Sequence, residues 1–325
     1  MGLAATLRRG ILGLDLSQAE HTSRGFQGGS PGVRRRLDRV GKCVVHGYNL
    51  GLEIADPERL AFLLDLIEPE MRGFAYEGGA MGLATVDLWS PRGGRFDRYV
   101  QGVAAPHTYM SYIGAGGAAA VFSRSHKELM AKLDPFLAWL VLDGLGFFHA
   151  FLKTDRTVRR RRLPASIEGH AVGPYHAGVG RSLWFVEGGD PRQLHDTIHT
   201  FPDAVHGELW AGVGLACAYA GGTDAATLST LRRLAEPFEA QLARGAVLAA
   251  HTRHVAGNPA PQVALATDVL CSCTAAEAHR LAVETMADLK DHASVGGQPT
   301  WHTWLSRLDH YLHAQAATLS REATS

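Results

Sequence analysis

The chain has 325 residues, 46% of them hydrophobic and 20% charged, a balance that belongs to an ordinary globular protein and excludes a disordered or fibrous build. Its 32 basic residues match its 32 acidic ones, so no overall field draws it to nucleic acid or to an anionic membrane surface. The four cysteines, Cys43, Cys217, Cys271 and Cys273, lack zinc-knuckle spacing and read as reduced, buried thiols of a cytoplasmic protein.

Along the chain, Met1 to Leu16 places Arg8 and Arg9 before a short apolar run, but Gly10, Gly13 and Asp15 break the run and no small-residue cleavage site follows it. No later stretch reaches the ~18 uninterrupted apolar residues that a membrane span needs, so the protein is expected to stay in the cytoplasm. His46-Gly47-Tyr48 opens an apolar run, and Asp56-Pro57 then supplies an N-cap and a first-turn proline for a helix whose Leu60, Leu63, Leu64 and Ile67 form one buried stripe. Pro69 starts a Gly-rich helix. The same order returns with His107, Asp134-Pro135 and the segment after it, and again with His176, Asp190-Pro191 and Pro202. Pro69, Pro135 and Pro202 fall 66 and then 67 residues apart, which is a period.

These copies define an all-α fold of repeated helical units of about 66 residues, roughly 46–105, 106–174, 175–240 and 241–310, packed into one domain over 1–325. The fourth copy is decayed and is traced only through Gln241 to Ala250 and Asn258-Pro259. The connectors Trp89 to Gly102 and Lys153 to Gly173 carry turn signals with short alternating stretches and are expected to form small β-hairpin insertions. Arg156 and Arg159 to Arg162 read as a solvated ribbon or as partners in ion pairs, in preference to an anion site.

The Gly-rich runs around Gly78 to Gly82, Gly114 to Gly117 and Gly212 to Gly214 are costly in helix interiors, at about 1 kcal/mol per glycine against alanine. Close helix-helix approach is the first account of them, and room for a slender ligand is the second. Glu77 and Asp143 occupy matching repeat positions, eight residues after Pro69 and Pro135, inside apolar helices. A buried carboxyl there either pairs with Arg181, Arg72 or a histidine, or has its pKa raised and exchanges protons with an uncharged substrate. His107 and His149 lie in the same neighbourhoods and would support the two acids. A carboxylate and histidine metal site is disfavoured, since no acid stands in Glu-x-x-His register, and no metal ligand is assigned. His195, His199, His251 and His254 are expected on exposed helix faces, and Cys217 has no neighbours that would activate it. Tyr76, Tyr109, Arg181, Trp184 and Trp210 would shape a pocket if the small residues open one.

Four segments together, Arg72 to Gly78, Asp143 to Phe147, Gly180 to Gly188 (Gly-Arg-Ser-Leu-Trp-Phe-Val-Glu-Gly) and Leu209 to Gly222, resemble a domain-of-unknown-function family of actinobacterial type, known chiefly as accessory proteins of enediyne biosynthesis gene clusters. The likeness runs from Leu7 to Ala278 or beyond. It implies a part in maturing the linear polyene of an iterative polyketide synthase into an enediyne core, alongside other cassette proteins. It carries over no catalytic residues and names no cofactor. The sequence therefore leads to a protein that binds, and acts on, a hydrophobic polyene or polyketide intermediate. Glu77, Asp143, His107 and His149 are its candidates for chemistry, and Tyr76, Tyr109, Arg181, Trp184 and Trp210 its candidates for binding. The competing class is a non-catalytic carrier or helical scaffold.

Overall fold

A computed structural model describes residues 3–90, 93–289 and 292–322. Their helices, in chain order, are α1 (Leu3–Leu12), α2 (Pro31–Ile54), α3 (Pro57–Leu64), α4 (Pro69–Leu88), α5 (Arg95–Gln101), α6 (Thr108–Phe122), α7 (His126–Met130), α8 (Leu140–Leu152), α9 (Val172–Val186), α10 (Pro191–Ile198), α11 (His206–Ala220), α12 (Ala225–Leu234), α13 (Glu239–Val255), α14 (Pro261–Cys271), α15 (Ala275–Met286) and α16 (Thr300–Glu322). Among the described residues the only strands are Ser294–Val295 and Gln298–Pro299, which pair antiparallel. The fold is all-α with a small hairpin insertion, and among the described residues no helix is long and apolar enough to cross a membrane.

Local chemistry explains most helix starts. Asp56 accepts from the Arg59 amide and Asp190 from those of Arg192 and Gln193, each ahead of a proline at the first helical position. Asp134 likewise accepts from the Phe136 and Leu137 amides, but there the chain only turns and α8 begins at Leu140. Among the described residues, the hairpins expected at 89–102 and 153–173 are not formed. Residues 95–101 are helical because Phe96, Tyr99 and Val100, spaced i, i+3 and i+4, bury one face, and the Tyr99 hydroxyl donates to the Tyr76 carbonyl at 3.4 Å. Asp155–Arg159 forms one wide π turn, and Arg156 and Arg159 to Arg162 project into solvent.

The core is a row of helices, α2, α4, α6, α8, α9, α11 and α13, in which each packs on the next. Gly114 and Gly116 in α6, Gly144 and Gly146 in α8, Gly178 and Gly180 in α9, and Gly212 and Gly214 in α11 stand two residues apart. At 3.6 residues per turn, such glycines point to nearly opposite sides of a helix. Each therefore meets a different neighbour. A Cβ on Gly116 would lie 2.1 Å from the Val141 carbonyl oxygen of α8, and one on Gly114 would lie 2.1 Å from the Glu77 carbonyl oxygen of α4. On α9, Gly178 is pressed against Asp143 of α8 and Gly180 against Leu209 of α11 in the same way. The glycines mark backbone-to-backbone crossings, and the pairs recur every 30 to 34 residues.

The row curls back on itself. Tyr219 of α11 packs edge-on against Phe74 of α4 with ring centroids 5.1 Å apart. Arg253, at the end of α13, donates to the Glu70 carbonyl at 3.1 Å and to the Tyr219 carbonyl at 2.7 Å, and Arg36 of α2 donates to the Ala220 carbonyl at 2.8 Å. Arg244 of α13 is held between Glu208, at 2.8 Å, and Asp309 of α16, at 2.6 Å.

Replacing Gly180 by alanine should cost about 2 kcal/mol or more, because a methyl group cannot enter the 2.0 Å gap before the Leu209 oxygen without moving a helix. Gly10→Ala, in α1 with nothing within 4 Å, should instead be neutral or stabilising by up to about 1 kcal/mol. Urea denaturation of the two variants beside the parent chain checks the contrast.

Candidate functional site

The curled row encloses a cavity of about 240 Å³, lined by α2, α4, α6, α8, α9, α11 and α13 together with the segment around Leu14 to Ala19 and Trp301 of α16. Its wall is mainly apolar, with Val44, Phe74, Met81, Ile113, Phe147 and Leu215 among the lining side chains. The space far exceeds the ~10–15 Å³ that one water needs, and its apolar lining is that of a small-molecule site, although its volume falls short of the ~300 Å³ at which such pockets usually begin.

The ionisable groups in this wall are few. Glu77 projects from α4 and is only 2% exposed. Among the described residues its carboxyl makes no hydrogen bond or ion pair. Burial pushes its pKa up to about 7; Arg181 opposes that shift and the negative charge of Asp143 adds to it. Arg181 of α9 also lines the cavity, with the Phe147 ring 4.7 Å from its guanidinium carbon. Its Nη2 lies 2.7 Å from Asp143 Oδ1 of α8, and both side chains are buried. The contact is close but poorly directed, so neither atom completes a hydrogen bond there and Arg181 Nε is also left without one. Burial raises the Asp143 pKa in spite of Arg181. Tyr109 of α6 closes another part of the wall and shares a 2.9 Å hydrogen bond with His251 Nε2.

The structure thus brings four sequence candidates together, Glu77, Arg181 and Tyr109 on the cavity wall and Asp143 behind Arg181. The other five lie in the packing between helices. His107 stacks on Tyr76 with centroids 4.0 Å apart, and the Tyr76 hydroxyl donates to Asp65 at 3.1 Å. His149 Nδ1 meets the Tyr175 hydroxyl at 3.1 Å. Burial lowers both imidazoles to a pKa of about 4, so they are neutral near pH 7. Trp184 is fully buried and donates to the Gly221 carbonyl at 3.1 Å, and Trp210 is fully buried as well. Neighbourhood in sequence grouped these residues with the acids, but the roughly 100° step between successive helical residues turns them away.

His251 corrects another expectation, since it is 3% exposed and faces Tyr109 and His279, whereas His254 is exposed. Sequence reasoning also missed Leu14, Gln18 and Ala19 and the α2 residues Val40 and Val44, which precede the first traced repeat and so carried no periodic signal. Tyr219 sat unassigned inside the Leu209 to Gly222 block. Among the described residues no three His, Cys, Asp or Glu side chains are grouped to share a metal ion.

Fold and site together define an all-α protein with an apolar cavity whose wall carries a carboxyl that is unpaired among the described residues. The chain belongs to the family described as protein of unknown function DUF1702, which matches residues 3–312. Neither a curated protein nor a solved structure matches it.

Three variants test the electrostatics. The folded carboxyl of Glu77 keeps its proton up to about 7, whereas in the unfolded chain it releases it near 4.5. Folding stability should therefore fall as pH rises from about 4.5 to 7, by ~3 kcal/mol in total. Glu77→Gln should remove that fall, so urea midpoints should diverge in favour of the variant at pH 8 and converge near pH 5. Asp143→Asn, which leaves Arg181 buried without its counter-ion, should cost about 3 kcal/mol in the same assay. Replacing the pair together by Asp143→Leu and Arg181→Met should recover most of the loss.

Proposed function

We propose that the cavity binds a slender, hydrophobic polyene or polyketide intermediate and that Glu77 exchanges a proton with it during maturation of an enediyne core. The observation that carries this reading is the Glu77 carboxyl, unpaired among the described residues and directed into an apolar cavity, with a pKa of about 7. A carboxyl held there purely for packing would be better replaced by an apolar side chain, because it is desolvated without a compensating bond. With its pKa near neutrality, Glu77 is present in both protonation states, the condition under which one group gives and takes protons efficiently. Arg181 and Asp143 tune it from one side: the guanidinium stabilises the carboxylate that forms when Glu77 loses its proton, and Asp143 keeps that stabilisation partial. The apolar wall excludes water and holds the chain of the substrate.

The enediyne setting comes from the family resemblance carried by the Gly180 to Gly188 and Leu209 to Gly222 blocks. In this reading the protein works in the cytoplasm on the polyene made by an iterative polyketide synthase, alongside other proteins of the same pathway. In a strain that makes the natural product, a chromosomal Glu77→Gln variant present at normal level should accumulate the same polyene as a full deletion. Normal product from the point variant, with none from the deletion, would sink the catalytic reading. It would leave a protein that shields or presents its ligand, or that docks its partners through its surface.

A further inference from the structure

The wall of the cavity is connected to the surface by a line of side chains that the reading above does not use. Tyr109 Oη lies 2.9 Å from His251 Nε2, and His251 Nδ1 lies 3.1 Å from His279 Nδ1 of α15. The His251 and His279 rings are within 16° of parallel, and His279 is in turn stacked on exposed His254 with centroids 3.7 Å apart. His279 is half-buried. Tyr109 and His251 are buried, and Trp304 of α16 packs edge-on against the His251 ring at 6.1 Å. Among the described residues, the titratable groups seen against His251 include Tyr109 from α6 and His279 from α15, with His254, one turn along its own helix, beside His279.

We propose that Tyr109, His251 and His279 form a proton relay between solvent and the central cavity, so that a ligand filling the cavity does not cut its acid-base group off from the bulk. The inference rests on the reading of the cavity as a place of proton exchange. Both ring nitrogens of His251 are engaged, and an imidazole can carry only one of its two protons while neutral. The line therefore has two complete arrangements. With His279 protonated, its Nδ1–H donates to His251 Nδ1, His251 Nε2–H donates to Tyr109 Oη, and the Tyr109 hydroxyl proton points to an acceptor in the cavity. When Tyr109 gives that proton up, the His251 Nε2 proton replaces it and the His279 Nδ1 proton moves to His251 Nδ1. His279 is left neutral, accepting from His251 Nδ1–H, and Tyr109 O–H now donates to His251 Nε2. One proton has entered the cavity, no charge remains on Tyr109 or His251, and both hydrogen bonds survive with their direction reversed. A proton given back from the cavity to Tyr109 runs the same hops in reverse, returns a proton to His279 Nδ1 and restores the first arrangement. Burial and the neighbouring His254 lower the pKa of His279, which keeps the neutral arrangement accessible near neutral pH.

The relay predicts which nitrogen of His251 carries the proton. Nitrogen-15 NMR of the histidine rings in the full-length protein should show that proton moving from Nε2 to Nδ1 as pH rises through the titration of His279, and His279→Gln should abolish the movement. A His251 that keeps one tautomer from about pH 5 to pH 8, or that switches equally in the His279→Gln variant, would overturn the proposal. Tyr109→Phe removes only the hydroxyl. With its melting temperature and cellular level shown to match the parent, it should lower product formation by on the order of tenfold or more in the strain used for Glu77→Gln. Normal product from Tyr109→Phe, where Glu77→Gln blocks it, would remove the relay and leave the cavity reading standing. Normal product from both would remove the cavity reading and the relay with it.

Discussion

Between α9 and α11 the Leu209 carbonyl oxygen occupies the place where any side chain on residue 180 would have to be, and the same exclusion recurs at each step from α2 to α13. Helices in this row touch through backbone, with glycine on both sides of each crossing from α6 to α11. Glycine in a helix loses more conformational freedom than alanine and contributes no apolar surface of its own. The offset comes from the dispersion contacts that two backbones gain at close range and from the neighbouring side chains, Ala115, Leu145, Val179 and Val213, each standing between the two glycines of its helix and buried. With helices this close, the row can bend tightly enough for its far end to reach its beginning. The cavity is what remains inside that bend.

The interior so made is a poor solvent for charge, and the arginines show how the chain manages it. Arg253 satisfies backbone carbonyls at the ends of α4 and α11, and Arg244 is held by two carboxylates between α11, α13 and α16. Both tie helices together. Arg181 differs, because its single carboxylate contact with Asp143 is imperfect and its other side faces the cavity. Glu77 is further from satisfaction still. Arg244 and Arg253 each leave Nε without a bond but are held by their other nitrogens, whereas Arg181 makes no completed bond to Asp143 and Glu77, among the described residues, makes none at all, so the electrostatic tension is greatest where the cavity opens. Free energy spent on that point is available to a ligand that relieves it.

Part of this was readable before any coordinates. Glu77 and Asp143 were linked through their equal distance from Pro69 and Pro135, and both carboxyls are buried within the influence of the Arg181 charge. The cost of glycine in helices pointed to close crossings. Other elements escaped for reasons that are physical. Phe96, Tyr99 and Val100 satisfy a helical stripe and, over so short a span, also part of an alternating one, so only their packing against α4 decides between the two. His107 and His149 lay as near to the acids in sequence as Tyr109 does, yet neither lines the cavity, since which face of a helix is turned inward depends on the neighbour on each side. His251 looked like a surface histidine because its partners, Tyr109 and His279, are 142 and 28 residues away.

By itself the sequence determined what local chemistry governs: helices, their Asp-Pro starts, the spacing of glycines that brings backbones together, and the acids buried within apolar runs. Tertiary structure alone decided that the row closes on itself, that Leu14 to Ala19 and Trp301 complete a cavity wall, and that Glu77 is left without a partner among the described residues while Asp143 takes Arg181. Those outcomes turn on contacts between residues far apart in the chain. No periodicity within a single helix records them, because they exist only once every helix has been set against its neighbours.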